Sequence, residues 1–364
     1  MERLKNVMLL KRMMTVVMIM MIVVLSGAGC AVKKSESDEK NETNQQAITD
    51  TAKEDAPQEN ESSKMTKEDT MEYRVAVLKG PTGIGFVKAW DDSENSKTLN
   101  TYNCTAYGTA DEITAGIIKG DIDLAAVPCN LASVLYQKTG GKIKIAAINT
   151  LGVLYILSTS DEIKSVEDLK GKTIYTTGQG TTPEYTLNYI LKQNHLTPGE
   201  DVTIEYKSEA AEVAALMSES DDVIAMLPQP YVTTVLQKNE NMKIVLDMTK
   251  EWNQVSDETL VTGVVIARDE VIEKNEKAFE QFLTDYENSV QFATENLEET
   301  AKMADSYDII KEAVAKQAIP YCNICFIKGD EMKSTVKAFL GVLYEANPQS
   351  VGGEEPDDDF YYVK

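Results

Sequence analysis

The chain reads as an α/β protein built as two lobes with a hinge between them, and three observations predict this. Short apolar runs alternate with helical segments from Tyr73 to Asp247, the pattern of a mostly parallel sheet covered on both faces. A strand at Thr173–Thr177 runs through Gly178-Gln179-Gly180-Thr181-Thr182 into a helix opening at about Pro183. An earlier unit has the same plan: strand Tyr73–Leu78, turn Gly80-Pro81-Thr82-Gly83-Ile84-Gly85, then a helix. Proline suits a first helical turn, and the free N–H groups at such a turn can meet a ligand's acceptors. Two such units in successive segments predict two lobes closing on one small molecule.

At 364 residues the chain is long enough for two α/β domains of ordinary size. A formal charge of −23 at pH 7 repels nucleic acid, which excludes it as a partner. Arg3, Lys5, Lys11 and Arg12 flank the apolar run Met13–Leu25, and Ser26-Gly27-Ala28-Gly29-Cys30 follows. Residues 1–29 therefore read as a signal peptide. The small residues before Cys30 resemble a bacterial lipobox, with Gly27 where leucine is usual. The resemblance implies lipidation (palmitate) of Cys30 and an anchor in the bilayer at the extracellular face of the cell membrane. An ordinary signal peptide or an uncleaved anchor is the alternative. Residues 30–70 are polar and almost free of apolar side chains, the composition of a disordered tether.

The folded part reads in order. After the first strand, Ile84, Val87 and Trp90 mark a helix, and Asn100–Tyr107 a second strand. Asp111 and Glu112 favour a helix start ahead of Ile118. Leu124–Val127 is a buried strand ended by Pro128-Cys129-Asn130, with helix Leu131–Gln137 and strand Lys142–Asn149 after it. Val153–Thr159 is a strand leading to the second lobe, where strands at Thr173–Thr177, Val202–Tyr206, Val223–Met226 and Met242–Asp247 alternate with helices. Leu260–Ala267 is read as the crossing back, and the remainder as mostly helical, from the 3.6-residue recurrence of Phe279, Phe282, Leu283 and Tyr286. The lobe assignment is 71–158 for the first part of lobe 1, 159–261 for lobe 2 and 262–364 for the return, with hinges at Ser158–Ser160 and Asp257–Thr262. Residues from Asn347 onward read as loose apart from Phe360-Tyr361-Tyr362.

Four stretches carry a resemblance: Ile118-Lys119-Gly120-Asp121-Ile122-Asp123-Leu124-Ala125 with Pro128; Val166-Glu167-Asp168-Leu169-Lys170-Gly171-Lys172-Thr173-Ile174; Leu196-Thr197-Pro198-Gly199-Glu200-Asp201-Val202; and Leu227-Pro228-Gln229-Pro230. In these the chain resembles the type II periplasmic-binding-protein fold, in the branch of nitrate, sulfonate, taurine and thiamine-pyrimidine-precursor binding proteins of ABC importers. The resemblance implies a solute-binding protein that captures a small molecule between two lobes and delivers it to an ABC permease in the membrane. The alternative is a sensor or salvage enzyme on the same fold.

Ligands of such sheets collect beyond the carboxyl ends of the strands. The candidates there are Thr82, Gly83, Asn130 and Thr150 in lobe 1, and Thr177, Gln179, Thr181, Thr182, Gln229 and Tyr231 in lobe 2. Each threonine has a second reading as a helix cap. Trp252, in a polar stretch read as loop, could face a planar ligand or pack against the other lobe. Arg74 and Arg268 fall at the far or lateral parts of their sheets, so no arginine clamp is expected, which favours a partly planar organic molecule over an inorganic anion. No catalytic residue, cofactor or metal is assigned. The one histidine, His195, sits at a helix end away from these loops, and neither a nucleophile elbow nor a phosphate loop is present. Cys104, Cys129, Cys322 and Cys325 leave open a disulfide in either pair, a metal site or free thiols.

Overall fold

The computed structural model describes residues 69–364, so the signal peptide, Cys30 and all but the end of the tether lie outside the described residues. Among the described residues no helix is long and apolar enough to cross a membrane.

Two sheets carry the two lobes. The first contains β1 (Glu72–Leu78), β2 (Thr101–Tyr107), β3 (Leu124–Pro128), β4 (Ile143–Leu151), β10 (Val261–Arg268) and β11 (Ile324–Ile327), in the order β11-β4-β10-β3-β1-β2. β1 runs parallel to β2 and β3, while β10 is inserted antiparallel between β3 and β4. The second contains β5 (Leu154–Ser158), β6 (Thr173–Thr176), β7 (Thr203–Tyr206), β8 (Ile224–Pro228) and β9 (Lys243–Asp247), in the order β7-β6-β8-β5-β9, with β5 antiparallel to both neighbours. Each sheet thus receives one antiparallel strand as the chain passes from one lobe to the other. The central strands are buried almost throughout, which is why they read as continuous apolar runs.

The helices are α1 (Pro81–Ile84), α2 (Val87–Glu94), α3 (Ala110–Lys119), α4 (Cys129–Thr139), α5 (Thr182–Gln193), α6 (Ala210–Glu219), α7 (Tyr231–Lys238), α8 (Met248–Val255), α9 (Asp269–Lys274), α10 (Glu276–Glu295), α11 (Leu297–Ser306), α12 (Glu312–Ala318) and α13 (Gly329–Ala346).

Three features differ from the sequence expectation. The strand at 154–158, assigned above to lobe 1, is hydrogen-bonded within the second sheet, so the first crossing is the Gly152–Val153 link rather than Ser158–Ser160. That link passes against α8: a Cβ on Gly152 would come within 2.1 Å of Thr249 Oγ1, so any side chain there would have to displace the Thr249 hydroxyl. The stretch read as loop around Trp252 is helix α8, capped by Asp247, whose carboxylate accepts from the Thr249 and Lys250 N–H groups. The terminal segment after Asn347 is tied down along its length. Ser133 donates to the Val351 carbonyl at 2.6 Å, Tyr136 donates to Asp357 at 2.6 Å, and the Tyr362 N–H reaches the Ile145 carbonyl at 2.9 Å.

Lobe 1 packs an aromatic cluster on one face of its sheet, with Phe86 and Tyr286 at 5.1 Å between ring centroids and Tyr102 edge-on to Phe282. A second core runs behind both sheets and joins Leu187 and Ile190 of α5, Trp252 of α8 and Phe339 and Leu343 of α13. The four cysteines of the described residues are free thiols, so neither pair forms a disulfide. Burial pushes the Cys322 and Cys325 thiols up to about 12, and raises Cys104 and Cys129 as well, which keeps them protonated and unreactive.

Candidate functional site

The two strand–turn–helix units converge on one cleft of about 640 Å³ at the carboxyl ends of the parallel strands. In lobe 1 the chain leaves β1 through Gly80, at φ 149°, and turns directly into α1, all four residues of which are buried. In lobe 2 it leaves β6 through Gly178 and Gly180, at φ +75° and +74°, and enters α5 behind Thr181. These left-handed positions admit glycine without strain and hold the turn open over the cleft. β3 and β8 end on matching prolines, Pro128 and Pro228, and both line the cleft.

Of the residues singled out from sequence, the cleft brings together Thr82, Thr150, Thr177, Gln179, Thr181 and Tyr231. Thr150 is 1% exposed and its hydroxyl has no hydrogen-bond partner; the hydroxyl of Thr262, also on the lining, is likewise buried and unpartnered. Buried polar groups are normally paired, so two orphan hydroxyls on a cavity wall mark places where a ligand can complete the bonding. Thr82 donates to the Leu78 carbonyl at 3.2 Å, and Thr181 donates to the Gly178 carbonyl at 2.6 Å, so both also hold their turns. Tyr231 sits between the charges of Glu209 and Asp308; burial first, and those carboxylates second, push its hydroxyl up to about 12, so it is a neutral donor at physiological pH.

The others lie off the lining. Gly83 is packed into the floor: a Cβ there would stand 2.7 Å from the Leu78 carbonyl and 3.1 Å from Ile309. Asn130 and Thr182 bond each other across the lobes, Thr182 donating to Asn130 Oδ1 at 3.1 Å and accepting from the Asn130 N–H at 3.3 Å. The Asn130 side-chain amide donates as well to the Ser350 carbonyl at 2.9 Å and the Gly180 carbonyl at 3.3 Å. Gln229 accepts from the Thr233 hydroxyl at 2.9 Å and caps the start of α7. Trp252 is fully buried, with its ring 4.9 Å from Tyr189 and 5.5 Å from Phe339, and its N–H donates to the Glu258 carbonyl at 2.6 Å. It packs the lobes together behind the cleft, the second of the two readings given above.

Sequence reasoning missed Lys79, Asp111 and Lys207 as lining residues, whereas Tyr206, which the sequence offers at a strand end as a flat contact for a planar solute, is on the lining. Lys79 and Lys207 directly follow β1 and β7, a position that signals the cleft edge in this architecture. Lys79 pairs with Asp308 at 2.7 Å, and the Lys207 ammonium lies 5.6 Å from the centre of the Tyr175 ring. Arg74 and Arg268, the arginines of the described residues, both converge on the buried Asp123. Neither lines the cleft.

Residues 110–300 match the family model described as NMT1/THI5 like. Curated relatives from Brucella abortus and Brucella suis that carry the name of binding protein are 25% identical over 173 residues, which is 48% of this chain and 52% of theirs. The chain therefore spans about half the length of the curated relatives it matches. A solved structure titled as an ABC transporter from Parabacteroides distasonis is 26% identical, with a TM-score of 0.66 over 80% of this chain and 99% of that one. The periplasmic aliphatic sulphonate binding protein of Escherichia coli superposes with a TM-score of 0.63 at 16% identity, over 80% of this chain and 92% of that one. At that identity the likeness shows the shared fold, a two-lobed periplasmic-binding-protein architecture.

Proposed function

The chain belongs to the NMT1/THI5-like family, and from that premise we propose that it is a solute-binding protein: it captures a small organic molecule between its lobes and hands it to an ABC permease. The observation that carries this reading is the cleft, with the orphan hydroxyls of Thr150 and Thr262 on its wall and Tyr206 and Tyr231 beside them. Thr82, Thr150, Thr177, Gln179, Thr181 and Tyr231 supply the contacts in this reading; Asn130, Thr182, Gln229, Gly83 and Trp252 position the walls. The two glycine turns allow close approach of the ligand to backbone, and the tyrosines offer flat faces to a planar body.

Cys30 carries the lipid in this reading. The polar stretch up to about residue 70 is a tether that keeps the lobes near a membrane permease on the extracellular face. The lobes swing about the Gly152–Val153 link and the 256–260 link, the two places where the chain passes between sheets.

A thermal-shift screen of the full chain against pyrimidines, amines, sulfonates and amino acids tests the function. One chemical class should raise the melting temperature in a saturable, concentration-dependent way. A flat response across all classes contradicts capture.

A further inference from the structure

The β4–β10 ladder breaks its register twice beside the cleft. Val261 pairs with Leu151, Gly263 with Thr150 and Val264 with Ile148, so Thr262 on β10 and Asn149 on β4 are extra residues. Such bulges bend a strand and re-aim its side chains, and they are over-represented next to active sites. In a regular strand Thr262 and Gly263 would face opposite sides of the sheet. Here both are on the cleft lining, as is Thr150, the partner of Gly263. The hydroxyls of Thr150 and Thr262 are the two orphans described above. Behind Gly263 stands Asn149, fully buried and with neither amide atom hydrogen-bonded. Its Oδ1 lies 2.6 Å from where a Gly263 Cβ would sit.

The charged lining residues come from the other end of the cleft. Lys79 follows β1, Asp111 lies in the first turn of α3 after β2, and Lys207 follows β7. β2 and β7 are edge strands, and β1 is the neighbour of β2. Lys79 is in addition paired with Asp308. β4 and β10 lie toward the opposite side of the lobe 1 sheet, where the chain crosses between lobes, and contribute no charged residue to the lining. The cleft is therefore neutral and hydroxylic at its crossing end and charged at its edge-strand end.

Resting on the solute-binding reading above, we propose that the solute seats an uncharged hydrogen-bonding group, a carboxamide, carbonyl or hydroxyl, against Thr150 and Thr262. A threonine hydroxyl both donates and accepts, so the pair matches a group that does both. A charged group at that end would be stripped of water with no opposite charge to meet it. That costs far more than a neutral hydrogen bond returns. Thr262 is then a specificity-determining residue beside Thr150, and Asn149 backs the floor with a further uncharged group.

Three probes of one shape and three charges test the proposal on the full chain by calorimetry: benzamide, benzoate and benzamidine. Benzamide should bind most tightly. Thr262→Val keeps the branched shape and removes only the hydroxyl, so it should weaken benzamide about fivefold, the loss of one neutral hydrogen bond. Thr262→Ser, which keeps the hydroxyl, should restore most of that affinity. Benzoate or benzamidine binding as tightly as benzamide overturns the proposal and leaves solute capture intact. Benzamide binding that ignores Thr262→Val also overturns it, as does an equal loss in Thr262→Ser, since the hydroxyl would then not be the cause. If benzamide does not bind, the proposal falls, and the broader solute screen reports separately on whether capture falls with it.

Discussion

The turn after β1 and the turn after β6 share a sequence plan and have become different parts. The first is floor. Its helix α1 is wholly buried, Ile84 packs with Ala301 and Ala304, and no room remains for even a methyl group at Gly83. The second is rim. Gly180 is exposed with nothing within 4 Å of where a Cβ would sit, and its N–H is held by a side chain rather than by packing. A strand–glycine-turn–helix motif therefore fixes where the backbone turns but not how firmly it is held. What covers the turn decides that, and in lobe 1 the covering helices come from residues some 200 positions later in the chain.

Substitutions can break or sharpen this contrast. Gly83→Ala should be the most damaging, costing roughly 3 kcal/mol, the upper end for overpacking, because the nearest atom is a carbonyl that cannot rotate away. A denaturant midpoint close to wild type would show the floor to be soft. Asn130→Ala, which removes the amide joining the two lobes and the terminal segment, should cost about 2 kcal/mol by leaving buried partners unpaired. Urea unfolding gives that value directly, and Asn130→Asp should recover only part of it, since a carboxylate cannot donate to the Ser350 and Gly180 carbonyls. Gly180→Ala has space but a left-handed backbone, so it should lose only about 1 kcal/mol. A loss as large as that of Gly83→Ala would erase the distinction between floor and rim. Thr150→Val should change stability by less than about 0.5 kcal/mol, since its hydroxyl has no partner to lose. It should nevertheless reduce the small molecule carried through purification, as read by native mass spectrometry.

The central strands of both sheets were legible because burial on both faces writes them as apolar runs, and the glycine turns because their flanking residues are those a helix start requires. β11 was not: Ile324–Ile327 is half-buried at an edge and follows a cysteine pair that invited a different reading. Helix α8 had a visible signal, Asp247 ahead of Met248 and Trp252 at i and i+4, but it is short and otherwise polar. The crossing point was misplaced by one strand because β5 is equally apolar in either sheet; only its hydrogen bonds assign it. At the site, position along the chain marked the right loops but could not separate Thr150, whose hydroxyl is orphaned, from Thr182, whose hydroxyl is satisfied by Asn130. That difference depends on a contact between residues 52 positions apart.

Native mass spectrometry of the full chain, purified without refolding beside Thr150→Val, tests most directly the claim that the space between the lobes is a solute site. The account predicts a one-to-one small-molecule adduct on the wild-type chain that is depleted in the variant, while the two chains, once stripped of solute, melt at the same temperature. An adduct retained equally by the two would place the solute somewhere other than this cleft. Bare masses for both, with no stabilisation in the solute screen, would contradict capture itself.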